Sequence, residues 1–193
     1  MSDRSHRQRT SRQGCSPIVF LTPVFSCLGM IDIVRFPVDM KFSWVKSLGF
    51  QRFVQAKEVG AVLGGTEEKN LAAVKQRRPV VLLVDEVKEK DRLHYRSSGL
   101  THQILQLASQ HTTAFGFCFS TLLDKKGKDR ALLLGRMMQN VQLCRKYKIR
   151  MVLCSFARNM YELKSASDLQ SFGRLLGMTP LEAKKALNFS QAR

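Results

Sequence analysis

Between residues 125 and 150 the chain carries Lys125, Lys126, Lys128, Arg130, Arg136, Arg145, Lys146, Lys148 and Arg150, against the single carboxylate of Asp129. This net +8 is nearly half of the +17 of the whole chain. A solvated helix face normally mixes both signs of charge. One sign alone suits a polyanion, and guanidinium forks suit phosphate oxygens. Arg136, Gln139, Asn140 and Lys146 can share the helix face away from the apolar stripe. There Arg and Lys would reach phosphates, and Asn and Gln would reach sugars or bases. A second basic group, Arg92, Arg96, Arg158, Lys164 and Arg174, falls in loops after strands or on nearby helices, the usual functional rim of an α/β barrel.

Other chemistries find little support. The histidines are His6, His94, His102 and His111, and no two are two to four residues apart. Metal-dependent hydrolases need clustered His and carboxylate ligands. Strand ends here offer Asp32, Asp85 and Glu86 with no histidine beside them, so no metal site is expected. A small metal-dependent barrel phosphoesterase using Asp32, Asp85 and His102 is kept as an alternative, but His102, early in a helix after Gly99, reads first as a capping or packed side chain. Cys15, Cys27, Cys118, Cys144 and Cys154 are widely spaced, without C-x-x-C. Reduced core thiols in a cytosolic protein fit them best. Neither G-x-x-x-x-G-K-[ST] nor a strand followed by G-x-G-x-x-G occurs. Gly64 and Gly65 end a strand before a helix. They make a tight βα turn, or present amides to a phosphate.

These residues need a scaffold, and the apolar pattern provides one. Strands are expected at 30–34, 50–54, 59–63, 80–84, 114–119 and 151–154. Helices are expected at 39–48, at 66–76 with Thr66 as cap, around Leu100, Ile104, Leu107 and Ala108, and at 129–147 with Leu134, Met137, Val141 and Cys144 as the apolar stripe. Two more close the chain, each with an apparent capping box: Ser167 with Gln170, and Thr179 with Glu182 after Pro180. Strands alternating with helices imply parallel βαβ units. The expected fold is α/β, either an open doubly wound sheet or a TIM-like barrel short of eight strands, in one domain over 30–193.

The composition, 44% apolar and 24% charged in 193 residues, excludes gross disorder, and a pI near 10.2 excludes an acidic solvating protein. A nucleic acid or an anionic membrane is the implied partner. Residues 1–29 read apart, with Arg4, Arg7, Arg9 and Arg12 followed by an uncharged, largely apolar run. Three readings stand in order: a dispensable extension or misplaced start, a basic RNA-binding arm, and a signal peptide, which Pro23 argues against.

Arg96-Ser97-Ser98-Gly99-Leu100-Thr101-His102 resembles the R-S-S-G-[FL]-[ND]-H motif of protein component 3 of archaeal ribonuclease P, counterpart of the thirty-kilodalton subunit of the eukaryotic enzyme. Gly116 to Leu123, the basic helix 130–147, Ser155 to Lys164, Asp168-Leu169, Leu176 to Ala183 and Asn188 are similar to later motifs of that family, in the same order. Gly64-Gly65 resembles its G-G turn. The resemblance implies a TIM-like barrel related to the PHP phosphoesterases but lacking their metal-binding histidines. About one βα unit is missing between Leu48 and Val59, so the barrel is expected to be shortened or incomplete. It further implies a cytoplasmic protein that contacts no membrane, has no catalytic residue and binds no cofactor. It would bind the ribonuclease P RNA, with Mg2+ at the RNA, precursor tRNA as the holoenzyme's substrate, and a second small subunit of the Pop-five type in a heterodimer or heterotetramer. On this reading Arg96, Lys126, Arg130, Arg136, Lys148, Arg158 and Lys164 contact RNA, while Gly64, Gly65, Ser98, Gly99, His102 and Asn188 are structural motif positions. A general binder of structured RNA is the other alternative.

Overall fold

The computed structural model describes residues 29–84, 91 and 96–188. Among these residues six strands and seven α-helices follow one another: β1 Ile31–Val34, α1 Ser43–Ser47, β2 Arg52–Gln55, β3 Ala61–Leu63, α2 Glu67–Lys75, β4 Val80–Leu83, α3 His102–Gln110, β5 Ala114–Cys118, α4 Phe119–Leu123, α5 Gly127–Lys146, β6 Met151–Cys154, α6 Ala166–Leu175 and α7 Pro180–Leu187. All strand pairs are parallel, as the alternation implies. They form a four-stranded sheet, β3-β4-β5-β6, and a two-stranded sheet, β1-β2.

Chain length explains why there are two sheets. A parallel pair needs a crossover of about a dozen residues. Between β1 and β2 the chain has room for α1, and they pair. Between β2 and β3 only residues 56–60 intervene, and no ladder forms there. On the other side, β1 meets the exit of β6. Phe156 N–H donates to the Ile33 carbonyl at 3.0 Å, and Arg35 N–H to the Ala157 carbonyl at 2.9 Å. The two sheets are therefore joined at one seam and open at the other.

Side chains alternate across a strand, and parallel strands are usually buried on both faces. Val81, Leu83, Phe115, Phe117 and Leu153 point outward and pack with Val74, Ile104, Leu105, Met137, Val141 and Phe172 from the helices. The alternate residues Val80, Leu82, Ala114, Cys118, Val152 and Cys154 point the other way and pack with Ile33 and Val54 of the small sheet. An inner cluster shared by both sheets and an outer layer of helices are consistent with a shortened TIM-like barrel; a closed barrel is not formed. Cys118, Cys144 and Cys154 are buried and reduced, as expected. Burial pushes the Cys144 thiol up to about 12. The contact with Cys118, with burial, holds the Cys154 thiol well above its ordinary value, so neither is poised as a nucleophile. Cys15, Cys27 and the whole N-terminal run lie outside the described residues. No helix among them is long and apolar enough to cross a membrane.

Two local expectations change. The cap of α6 is Ser165, whose hydroxyl accepts from Asp168 N–H while the Asp168 carboxylate accepts from Ser165 N–H, so the Ser167–Gln170 box is not the one used. The boxes Ser165–Asp168 and Ser167–Gln170 overlap in sequence, and burial of Ala166 and Leu169 selects the first. The expected box of Thr179 and Glu182 with Pro180 is present. Between β5 and the basic stretch lies α4, a short helix that begins at Phe119, the residue expected to end the strand, and that the apolar run to Leu123 had hidden.

Candidate nucleic-acid interface

Helix α5 has 20 residues and is roughly 30 Å long. It leaves the C-terminal edge of β5 and returns to the N-terminal edge of β6. The basic segment is therefore split between two ends of the molecule. Lys125, Lys126, Lys128 and Arg130 lie at its start, and Arg145, Lys146, Lys148 and Arg150 at its finish. Lys126 and Lys148 are both exposed and belong to different surfaces.

Several cations are already engaged. Arg130 Nε donates to the carbonyls of Leu122 and Lys125, at 3.1 and 2.8 Å, which satisfies acceptors at the end of α4. Arg145 grips the Glu182 carboxylate with Nε at 3.0 Å and Nη2 at 2.8 Å and also donates to the Gly177 carbonyl. The Arg145 guanidinium brings Glu182 down to about 2.

Arg136 is the main correction. It was expected on the exposed basic face, but only 7% of it is exposed. Its Nε and Nη2 both meet Asp91 Oδ1 at 2.9 Å. Asn140 is buried beside it, and Gln139 holds the backbone of Arg96 instead of reaching outward. Gln139 Oε1 accepts from Arg96 N–H at 3.1 Å, and its Nε2 donates to the Arg96 carbonyl at 3.0 Å. The reason is geometric. Leu133, Met137, Val141 and Cys144 make the core stripe, and Arg136 and Asn140 flank it, with Arg136 against Asp91. Leu134 is only partly buried. The Arg96 guanidinium lies across Gly135, where a Cβ would come within 2.4 Å of its Nη1. About half of the Arg96 side chain remains exposed, 3.8 Å from Asp91.

The G-G turn and the Arg96–Gly99 turn meet at a residue that the sequence did not single out. Asn70, fully buried in α2, accepts from Gly65 N–H at 2.9 Å and donates to the Gly99 carbonyl at 2.7 Å. A Cβ on Gly64 would come within 2.1 Å of the Asn70 side chain. Gly64 and Gly65 are therefore a tight βα turn joined to a second turn. Ser98 is buried in the same junction. His102, exposed at the start of α3, shares a 2.5 Å hydrogen bond with Tyr147 at the end of α5 and meets its ring edge-on. Asn188 follows α7, its Oδ1 buried beside Ile149 and Arg150.

At the C-terminal edge of the strands, Arg158 Nη2 reaches Asp124 at 2.6 Å and, with Nε, the Glu162 carboxylate. Lys164 lies over the Phe119 ring, and Arg35 over Phe156. With Lys125 and Lys126 these residues form a basic rim. Arg174, expected nearby, is in the last turn of α6, at the other end of the molecule together with Gly177 and Arg145. Arg92, Asp85 and Glu86 lie outside the described residues.

Asp32 does not act as a strand-end ligand. It is fully buried; Oδ1 accepts from Ser155 N–H at 2.7 Å, and Oδ2 is 2.5 Å from Ser155 Oγ. No three His, Cys, Asp or Glu gather into a metal site among the described residues. Burial raises the Asp32 pKa to about 7. A carboxyl raised in the folded state binds its proton more tightly there than in the unfolded chain. Its contribution is complete below about pH 4 and is lost as pH rises toward 7. Asp32 alone should therefore remove about 2 kcal/mol of stability between pH 5 and 7. In Asp32→Asn that slope should flatten in urea melts. An unchanged slope would locate the pH dependence elsewhere.

The fold and the rim define a parallel α/β protein with cations at both ends of the 20-residue helix α5. The profile of the family described as RNase P subunit p30 matches residues 39–192, and the chain belongs to that family. It is 36% identical over 124 residues to ribonuclease P protein component 3 of Methanocaldococcus jannaschii, covering 64% of this chain and 50% of that protein. To the Methanosarcina mazei protein of the same name it is 31% identical over 137 residues, covering 71% and 54%. The chain thus spans about half the length of these curated relatives. A chain from a cryo-EM structure of archaeal ribonuclease P with mature tRNA is similar with a TM-score of 0.61 and 25% identity, over 81% of this chain and 86% of that one.

Proposed function

We propose that this chain is a protein subunit of ribonuclease P. It binds the catalytic RNA and supports RNA-catalysed removal of 5′ leaders from precursor tRNA. The observation that carries this reading is the family match over residues 39–192, joined to a similar chain in an archaeal ribonuclease P particle. The protein contributes no catalytic group. Cleavage belongs to Mg2+ held by the RNA, and Lys and Arg side chains replace counterions that crowd the folded RNA. The barrel is related to the PHP phosphoesterases without their metal ligands. A second small subunit, of the Pop-five type, is the proposed protein partner in a heterodimer or heterotetramer, and the setting is cytoplasmic, away from membranes.

The contacts proposed for RNA are Lys126 and Lys164 at one end, Lys148 at the other, and the exposed half of Arg96 along α5 between them. Arg130 and Arg158 act chiefly by fixing the rim, and Arg136 leaves the set. The test is reconstitution of the protein with ribonuclease P RNA and the second subunit at limiting Mg2+. Leader cleavage should exceed that of RNA alone. No gain over RNA alone would refute the reading, and equal affinity for unrelated structured RNAs would favour a general RNA binder instead.

A further inference from the structure

Tyr161 is 88% exposed, more than any other large apolar side chain that the described residues leave on the surface. A single exposed apolar residue needs no explanation by itself. What sets Tyr161 apart is how firmly it is held and what surrounds it. It lies on a short 3-10 turn, Met160–Glu162. The Asn159 side chain accepts from Tyr161 N–H at 3.1 Å and from Glu162 N–H at 3.2 Å. Glu162 accepts from the Arg158 backbone at 2.9 Å, and the Arg158 guanidinium ties the turn to Asp124 at 2.6 Å. The backbone of the turn is thus fixed, and it presents the ring to solvent beside half-exposed Met160.

Its setting is basic. Arg158 chiefly, with a smaller contribution from Arg35, holds the Glu162 carboxyl below its ordinary value. Lys164 follows two residues later, and Lys125 and Lys126 adjoin Asp124. Both carboxylates of the patch, Asp124 and Glu162, are bound by Arg158. An exposed aromatic face on a braced turn amid cations matches an unpaired nucleotide, whose base stacks while its phosphates meet Lys and Arg. A protein partner for this patch would need compensating acidic groups; a nucleic acid has its charge already in place at every step.

We propose that Tyr161 is a stacking platform for an unpaired RNA base, with Arg35, Lys126 and Lys164 meeting the adjoining phosphates. This rests on the ribonuclease P reading only for the identity of the RNA. The full chain is tested on ribonuclease P RNA, on a single-stranded oligouridine and on a fully paired RNA duplex, over a range of salt. Base stacking of ~1–3 kcal/mol predicts that Tyr161→Ala weakens the first two complexes by about five- to 150-fold. The salt slope should not change, because no charge is removed, and duplex binding should stay as in wild type. Tyr161→Phe and Tyr161→Trp, which keep a ring, should bind within about twofold of wild type. Circular dichroism of Tyr161→Ala should show an unchanged melt, as its exposure implies.

Wild-type affinity of Tyr161→Ala for both single-stranded and ribonuclease P RNA would overturn the proposal. So would loss of the second protein subunit with RNA affinity intact, which would make Tyr161 a protein contact. Should wild type bind oligouridine through Tyr161 but not ribonuclease P RNA, the ribonuclease P reading fails and the platform stands. Binding to neither RNA overturns both.

Discussion

Asn70→Ala should lower the stability of the folded chain by about 3 kcal/mol, read as a lower urea midpoint at unchanged m-value. The side chain bridges two turns 29 residues apart in sequence, with its amide oxygen on Gly65 N–H and its amide nitrogen on the Gly99 carbonyl. Alanine removes both partners at once and leaves two buried backbone groups unsatisfied, each worth about 1–3 kcal/mol. Asn70→Asp keeps the acceptor but sets a buried charge against the Gly99 carbonyl, so it should not rescue. Gly99→Ala should be similarly damaging, because its φ of +71° and the Gly65 carbonyl, 2.3 Å from a Cβ there, leave no room. Lys75→Ala, exposed on the same helix, serves as the control near zero. A loss below about 1 kcal/mol for Asn70→Ala would mean that water or local relaxation satisfies the two turns, and the junction would not be what positions Arg96.

The junction also marks how far the sequence could be read. Elements with strong periodicity were legible: β4 to β6, α2 with its Thr66 cap, α3, α5 and the Thr179 box follow from local apolar spacing and capping chemistry. The gap between β2 and β3 was legible too, since a few residues cannot carry a parallel crossover. The polar core was not. Asn70 with Gly99, Arg136 with Asp91, Gln139 with Arg96 and Asp32 with Ser155 pair across 29, 45, 43 and 123 residues. A polar residue on a helix looks the same in sequence whether solvent or a distant turn covers it. Net charge was therefore read correctly as a sum and incorrectly as a surface. Within 125–150, Arg136 is buried and Arg130 and Arg145 are bound, so the lysines carry most of the outward charge.

Asp91→Ala bears directly on that redistribution, and its cost should be about 3–5 kcal/mol. Asp91 Oδ1 receives Arg136 Nε and Nη2, both at 2.9 Å, and Ser97 N–H at 3.1 Å. Removing the carboxylate leaves the guanidinium with less to offset its desolvation, while removing both charges together avoids that penalty. Asp91→Ala combined with Arg136→Met should therefore recover much of the loss, and the double-mutant cycle should show strong coupling. The same pair separates a buried strut from an RNA contact. If Arg136 is a strut, Arg136→Met at a temperature where it stays folded should leave the slope of log K against log salt unchanged. Lys126→Ala, at the exposed rim, should shallow that slope by about one phosphate's worth. A neutral Asp91→Ala together with a shallower slope for Arg136→Met would return Arg136 to the RNA face and refute its assignment to the core.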